Sequence, residues 1–365
     1  MMDSRDSEER REGALWGLYI GDALAMPVHW YYNRGALFDD YGWVAGYLTP
    51  KNPHPDSILF RSNYAAPNPK GEILHEQAAY WGREGTRYHY HQFLKAGENT
   101  LNVKLCSVLS ESLNRNGGYD ADDYLQRYIA FMTTPGSHRD TYIEECHRNF
   151  FSNYAKGVPL RQCGATEKHI GGLVGMVPIL AFYSKDPLKA RSAALEHLAL
   201  THPGRKMAAA GTLVADLMLE VLSGRPLQDV ILAKIEAQDH PLVGHPFKKW
   251  LDDPDDWVIG PKLSTACYVE HSVPAVLYLA LKYHGDPEKA LVVNTNLGGV
   301  TMSIAEACWA RCWVRSTAKK DSRSAGSKAC STRLRRCPCA SIDRLKFFRS
   351  ILYFQNAEQP IIIDK

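Results

Sequence analysis

The 365-residue chain has no apolar run long enough to span a membrane, so no membrane partner is expected. It has no excess of one charge. Its 43 Lys and Arg against 40 Asp and Glu give a formal net charge of +3, and with ordinary apolar content nothing marks it as disordered. The opening stretch 1–11 is charged and lacks the apolar core of a secretory signal. Nine cysteines are an odd number, and the four before residue 300 are widely scattered. Reduced thiols in a cytoplasmic protein fit that spacing better than a disulfide framework. Also missing are a phosphate-cradling glycine loop, a serine nucleophile elbow and any nucleic-acid motif, so no nucleic-acid partner is expected. No succession of alternating strands is long enough to build a sheet.

What is present is helical periodicity. Apolar residues recur at three- and four-residue spacing over 100–113, 124–132, 190–200, 207–222 and 274–283. Gly118-Tyr-Asp-Ala-Asp-Asp123 and Asp286-Pro-Glu read as helix entrances, with carboxylates at the positive helix end. Residues 42–75, rich in Pro, Asn and Tyr, read as a long ordered loop of the kind that often borders a site. These signs predict an all-α fold with no internal repeat.

Gly13, Gly17 and Gly21 recur every four residues, so they share one helix face and allow another backbone to approach closely. That face ends at Asp22. The carboxylate there has two readings: an oxygen donor held rigidly for a cation or polar pocket, or a solvated Asp beside a tightly packed helix.

The string Gly13-Ala-Leu-Trp-Gly-Leu-Tyr-Ile-Gly-Asp-Ala-Leu-Ala-Met-Pro resembles the opening of the ADP-ribosylglycohydrolase family. Further blocks carry the resemblance to about Gly299: His75-Glu-Gln, 89–102, 169–178, Thr201-His202-Pro203 and 274–299. The resemblance implies a single compact orthogonal helical bundle over 13–299, with a charged N-terminal tail over 1–12. It also implies a hydrolase cleaving a glycosidic bond to ADP-ribose or a related ribosyl compound, acting on a small-molecule or ADP-ribosylated substrate. The metal-dependent members hold two Mg²⁺ ions on a Thr-Asp-Asp-Thr motif and a late Gly-Asp-x-Asp-Ser/Thr motif, because hard cations take oxygen ligands and a pair of them can grip a diol and orient a water.

In this chain the first motif corresponds to Gly97-Glu98-Asn99-Thr100, so one carboxylate has become an amide and the leading Thr a Gly. Glu98, Asn99 and Thr100 are the implied ligands, for one Mg²⁺ or none rather than two. His29 stands where many relatives carry a Glu, and it is the implied proton carrier beside Glu98 and Asp22; its other reading is a hydrogen-bonded histidine in an aromatic wall. The implied substrate-binding positions are His89, His91, Asn102, Asn294, Asn296, Gly298 and Gly299. His89 and His91 form an H-x-H pair that lacks the third ligand zinc requires and reads as polar lining. The aromatics Trp30, Tyr31, Tyr90 and Phe93 serve equally as a stacking wall or as core. Asp140-Thr-Tyr142 and His147-Arg148 are implied at the pocket rim. The competing class is a catalytically inactive, crystallin-like structural or ligand-binding member, which the replaced acidic residues favour.

The chain changes character after Gly299. Five of the nine cysteines fall between Cys308 and Cys339, and Lys and Arg crowd 311–349 with almost no acids. Reading the codons that permit 300–330 one base earlier allows G-D-N-V-H-R-G-G-V-L-G-A-V-L-G-A-L-N-G, the closing block expected of the family. The tail over 300–365 is therefore read as out of frame, with a basic surface segment and a zinc-binding tail as rivals.

Overall fold

The computed structural model describes residues 4–299, and the expectations for the tail over 300–365 lie outside the described residues. Among the described residues there are thirteen α-helices and only isolated β-bridges, no strand. The fold is all-α, as expected.

Helix α1 (Ser4–Ala25) carries the glycine face, and Gly13, Gly17 and Gly21 are all buried. From Ser4 onward the charged stretch forms the first turns of this helix. Arg10 explains why: its guanidinium is buried and donates from Nε to the carbonyl of Leu222 at 2.8 Å, at the negative end of another helix. After α2 (Arg34–Tyr41) the chain runs to residue 100 without an α-helix, so the predicted loop of 42–75 is longer than expected and is braced by short 3₁₀ turns.

Helices α3 (Leu101–Asn116) and α4 (Ala121–Thr133) follow the predicted periodicity. Asp120 caps α4 by accepting the N–H groups of Asp122 and Asp123. Next come α5 (Glu145–Ala155), the short α6 (Gly171–Val174), and α7 (Met176–Phe182), followed by α8 (Pro187–Thr201) and α9 (Arg205–Leu222). The described part closes with α10 (Leu227–Ala237), α11 (Asp255–Val258), α12 (Val269–Lys282) and α13 (Pro287–Leu297). Helix α12 begins five residues before Pro274, at which the periodicity had placed its start, and carries that proline inside it. Asp286 caps α13 through Lys289 N–H at 3.1 Å, as its sequence predicts.

Helix α1 packs against α3, α7, α9 and α13, so the glycine face lies at the centre of the bundle. The main core joins aliphatic residues of α7, α9 and α12 to the aromatic residues Tyr124, Tyr128, Phe150 and Phe151. A smaller core of Leu24, Val28, Tyr31, Leu37 and Val44 covers the end of α1.

Candidate functional site

Asp22 lies one turn before the end of α1 and is buried. Its Oδ2 accepts the side-chain amide of Asn99 at 3.0 Å and the backbone N–H of Thr100 at 2.7 Å, and its Oδ1 accepts the Thr100 hydroxyl at 2.6 Å. Thr100 is the residue that opens α3, and it makes no side-chain cap bond of its own. Asp22 supplies the cap from another helix, with its charge at the positive end of α3. Burial pushes its carboxyl pKa up, against the pull of the Thr100 and Asn99 hydrogen bonds.

Glu98 was expected beside Asp22. Its carboxylate instead pairs with Arg139 and accepts the backbone N–H of Lys95 at 2.9 Å. Asn99 spends its amide N–H groups on Asp22 and on the carbonyl of Tyr19 at 2.7 Å. As held, the set Glu98, Asn99, Thr100 and Asp22 does not fit Mg²⁺: a guanidinium already neutralises one carboxylate, and protein donors meet both oxygens of the other.

A second arrangement lies on the far side of the 3₁₀ turn Met26–Val28 that follows α1. Nδ1 of His29 lies 3.0 Å from Nε2 of His91, and Nδ1 of His91 lies 2.6 Å from Oδ1 of the fully buried Asp140. The bonding fixes the tautomers. Because Asp140 accepts, His91 carries its proton on Nδ1; its Nε2 therefore accepts from His29 Nδ1–H. The Nε2 lone pair of His29 then has no protein partner among the described residues. The H-x-H pair is fully engaged: His89 donates from Nε2 to the Pro27 carbonyl at 3.0 Å and accepts the His91 backbone N–H on Nδ1 at 2.9 Å. His54 donates to the His29 carbonyl at 2.9 Å.

Three of them, His29, His54 and His89, are held neutral. Burial first, then the charge of His91, drives His29 well below the ordinary histidine value, and Asp140 opposes the shift. Burial followed by the neighbouring His54 and His91 does the same to His89. Burial pulls His54 down to about 4. Burial alone would raise the Asp140 carboxyl; the hydrogen bond and charge of His91 outweigh it and hold it below the carboxylate range.

Aromatic rings wall this relay. Trp30 lies 4.6 Å from Tyr90 and 5.3 Å from Tyr142, and Trp81 stacks on Tyr142. The backbone N–H groups of Thr141 and Tyr142 both reach the Tyr90 carbonyl, which fixes Asp140 opposite His91. Trp30 has a positive φ of 62°, a conformation that costs a bulky residue energy. Bonds to the last described residue maintain it: Trp30 N–H donates to the Gly299 carbonyl at 3.1 Å, and Gly299 N–H to the Tyr31 carbonyl at 2.6 Å. At Gly298, with φ 74°, a Cβ would lie 2.4 Å from the Tyr31 carbonyl oxygen, so only glycine allows this approach.

The other expected positions divide. Asn102 joins Glu144 at 3.1 Å to His147 at 3.3 Å, and His147 reaches the Tyr128 hydroxyl at 2.6 Å. Asn296 is a strap, with its amide accepting from and donating to the backbone of Val44. Asn294 is buried with an amide nitrogen that has no hydrogen-bond partner among the described residues. Sequence reasoning put Asp140 only at the rim and missed Glu144, since no local spacing ties either residue to its partners.

A helical bundle with a glycine-faced first helix and polar residues gathered at its centre defines a class. The ADP-ribosylglycohydrolase family model matches residues 3–308, and the chain belongs to that family. It is similar to an uncharacterized protein of Archaeoglobus fulgidus, 24% identical over 312 residues, 83% of this chain and 86% of that one. It also shares its fold with a solved chain described as an ADP-ribosylglycohydrolase-related protein complex. That match has a TM-score of 0.53 at 20% identity and covers 84% of this chain and 87% of the other.

Proposed function

We propose that the chain is a hydrolase of the ADP-ribosylglycohydrolase type that cleaves a glycosidic bond to ADP-ribose or a related ribosyl compound, with His29 as its general base. The observation that carries this reading is the Asp140–His91–His29 relay, which ends on an imidazole lone pair with no protein partner among the described residues. Water attacks the anomeric carbon through an oxocarbenium-like state. Its oxygen forms the new C–O bond, the leaving group departs with the electrons of the old one, and the water proton passes to His29 Nε2. The imidazolium so formed keeps its Nδ1–H on His91, and the buried carboxylate of Asp140 stabilises the added charge through that ring. Asp22 and Thr100 hold the floor of the site rigid, and the aromatic wall offers faces for a base or nicotinamide-like ring. The chemistry asks nothing of Mg²⁺, which the oxygen set as held does not fit.

The test is release of free ADP-ribose from ADP-ribosyl substrates, read by chromatography with and without a chelator. Turnover that survives chelation and disappears in His29→Ala supports the reading; turnover unaffected by His29→Ala overturns it. A second reading, a non-catalytic binding member, is favoured by the saturated Asp22 and the Arg139-neutralised Glu98. It predicts a rise in melting temperature with ADP-ribose and no product, since a ligand of the folded state alone stabilises it.

A further inference from the structure

Away from the relay, three buried or half-buried groups converge without an assigned task. Glu144 immediately precedes α5, Cys146 sits in its first turn, and His202 follows the last residue of α8. One ligand atom from each lies within 4.8 Å of the others. His202 is 3% exposed, and its Nε2 is buried with no hydrogen-bond partner among the described residues, although its Nδ1 is 2.8 Å from the Thr201 hydroxyl. A Thr201 hydroxyl accepting from Nδ1–H leaves Nε2 with an unspent lone pair in the interior.

From this convergence we propose that Glu144, Cys146 and His202 form a binding site for a sulfur-accepting divalent cation of the zinc type.

The donor set selects the ion. A thiolate, an imidazole and a carboxylate together suit zinc or cobalt, whereas Mg²⁺ and Ca²⁺ take oxygen alone. Charge balance agrees: a dication with one thiolate and one carboxylate is neutral, which is what an interior site tolerates. The surroundings also orient the donors. Asn102 donates to Oε1 of Glu144 at 3.1 Å, leaving Oε2 on the side of the Cys146 sulfur, 4.0 Å away. Outer hydrogen bonds of this kind, like that of Thr201 to His202, commonly orient metal ligands. Two adjacent glycines make the approach feasible. A Cβ on Gly171 would lie 2.6 Å from Glu144 Oε2, and one on Gly172 would lie 2.6 Å from the His202 ring. Three protein ligands leave room for one further ligand, as in open zinc sites.

The rival account is a thiol donating to the Glu144 carboxylate with no metal, and the two predict different spectra. The full-length protein, stripped of metal by a chelator, is titrated with Co²⁺ and then back-titrated with Zn²⁺, alongside Cys146→Ser and His202→Gln. The parent should gain a thiolate-to-cobalt charge-transfer band at one equivalent and lose it to Zn²⁺. Each variant should lose that equivalent, weakening binding by more than the roughly 10–100-fold typical of losing an outer partner. The cysteines beyond residue 300 are present in parent and variants alike, so they cancel in the difference. Variants that titrate like the parent, or a parent with no band, overturn the proposal. Circular dichroism checks folding, and if Cys146→Ser fails to fold, the volume-conserving Glu144→Gln carries the same comparison.

Discussion

The block 89–102 feeds two regions that treat their polar groups in opposite ways. At its end, Asn99 and Thr100 spend their donors on Asp22, and every oxygen of that carboxylate is met. At its start, His91 passes the influence of Asp140 to His29, where one lone pair is left over among the described residues. A saturated cluster stabilises; a cluster with one unspent atom can do chemistry or bind. The acidic motif that sequence resemblance marks as the chemical centre is the saturated one, and the histidines carry the surplus.

The sharpest way to break this comparison is to remove the surplus. His29→Ala should reduce turnover by about 10²–10⁴-fold, the usual worth of a general base, with little change in melting temperature. Asp140→Asn should lower turnover as well and shift the acid limb of the pH profile, because the amide no longer supports a positive His91–His29 pair. Steady-state assays across pH separate the two.

Acid should affect the histidine region through stability. His29, His54 and His89 titrate lower in the fold than in the unfolded chain, so their contribution is complete above the unfolded value of about 6.5. It is lost as pH falls from there toward the folded values, about 4 for His54. Within that window each costs about 1.4 kcal/mol per pH unit. Denaturant midpoints should therefore drop steadily below pH 6.5, and a flat profile from 6.5 to 5 would contradict the neutral-imidazole assignment.

Asp22→Asn tests the other half. It keeps shape but weakens charge-assisted bonds to Thr100 and Asn99, so unfolding should become easier by about 1–2 kcal/mol. Turnover per folded molecule should hold. A large loss of turnover with unchanged stability would return Asp22 to the chemistry. The smallest effect belongs to Glu98→Gln, which breaks a half-exposed pair with Arg139 worth no more than about 1 kcal/mol. Added Mg²⁺ should make no difference to it.

What the sequence disclosed follows from distance along the chain. Helices α3, α4, α8, α9 and α12 were legible because their apolar residues repeat at helical spacing over long segments. Helix α5, Glu-Cys-His-Arg-Asn-Phe-Phe-Ser-Asn-Tyr-Ala, was missed because polar residues interrupt that repeat. Asp22 was legible from the three glycines before it. The relay was not, since His29 and His91 stand 62 residues apart and His91 and Asp140 stand 49 apart. No local pattern joins residues at those separations; only the packing of the loop over 42–100 does. For the same reason Glu98 looked like a ligand in its motif, where its neighbour Arg139 could not be seen.

The hydrogen bonds between Gly299 and the Trp30–Tyr31 backbone have a consequence for how the molecule is made. The contacts that set the backbone beside His29 are completed only after some 270 further residues have emerged from the ribosome. Until then the imidazole is present without its final setting, and a nascent chain interrupted before residue 299 carries the relay residues but not the closure that poses them. The segment around His29 thus matures long after it is translated.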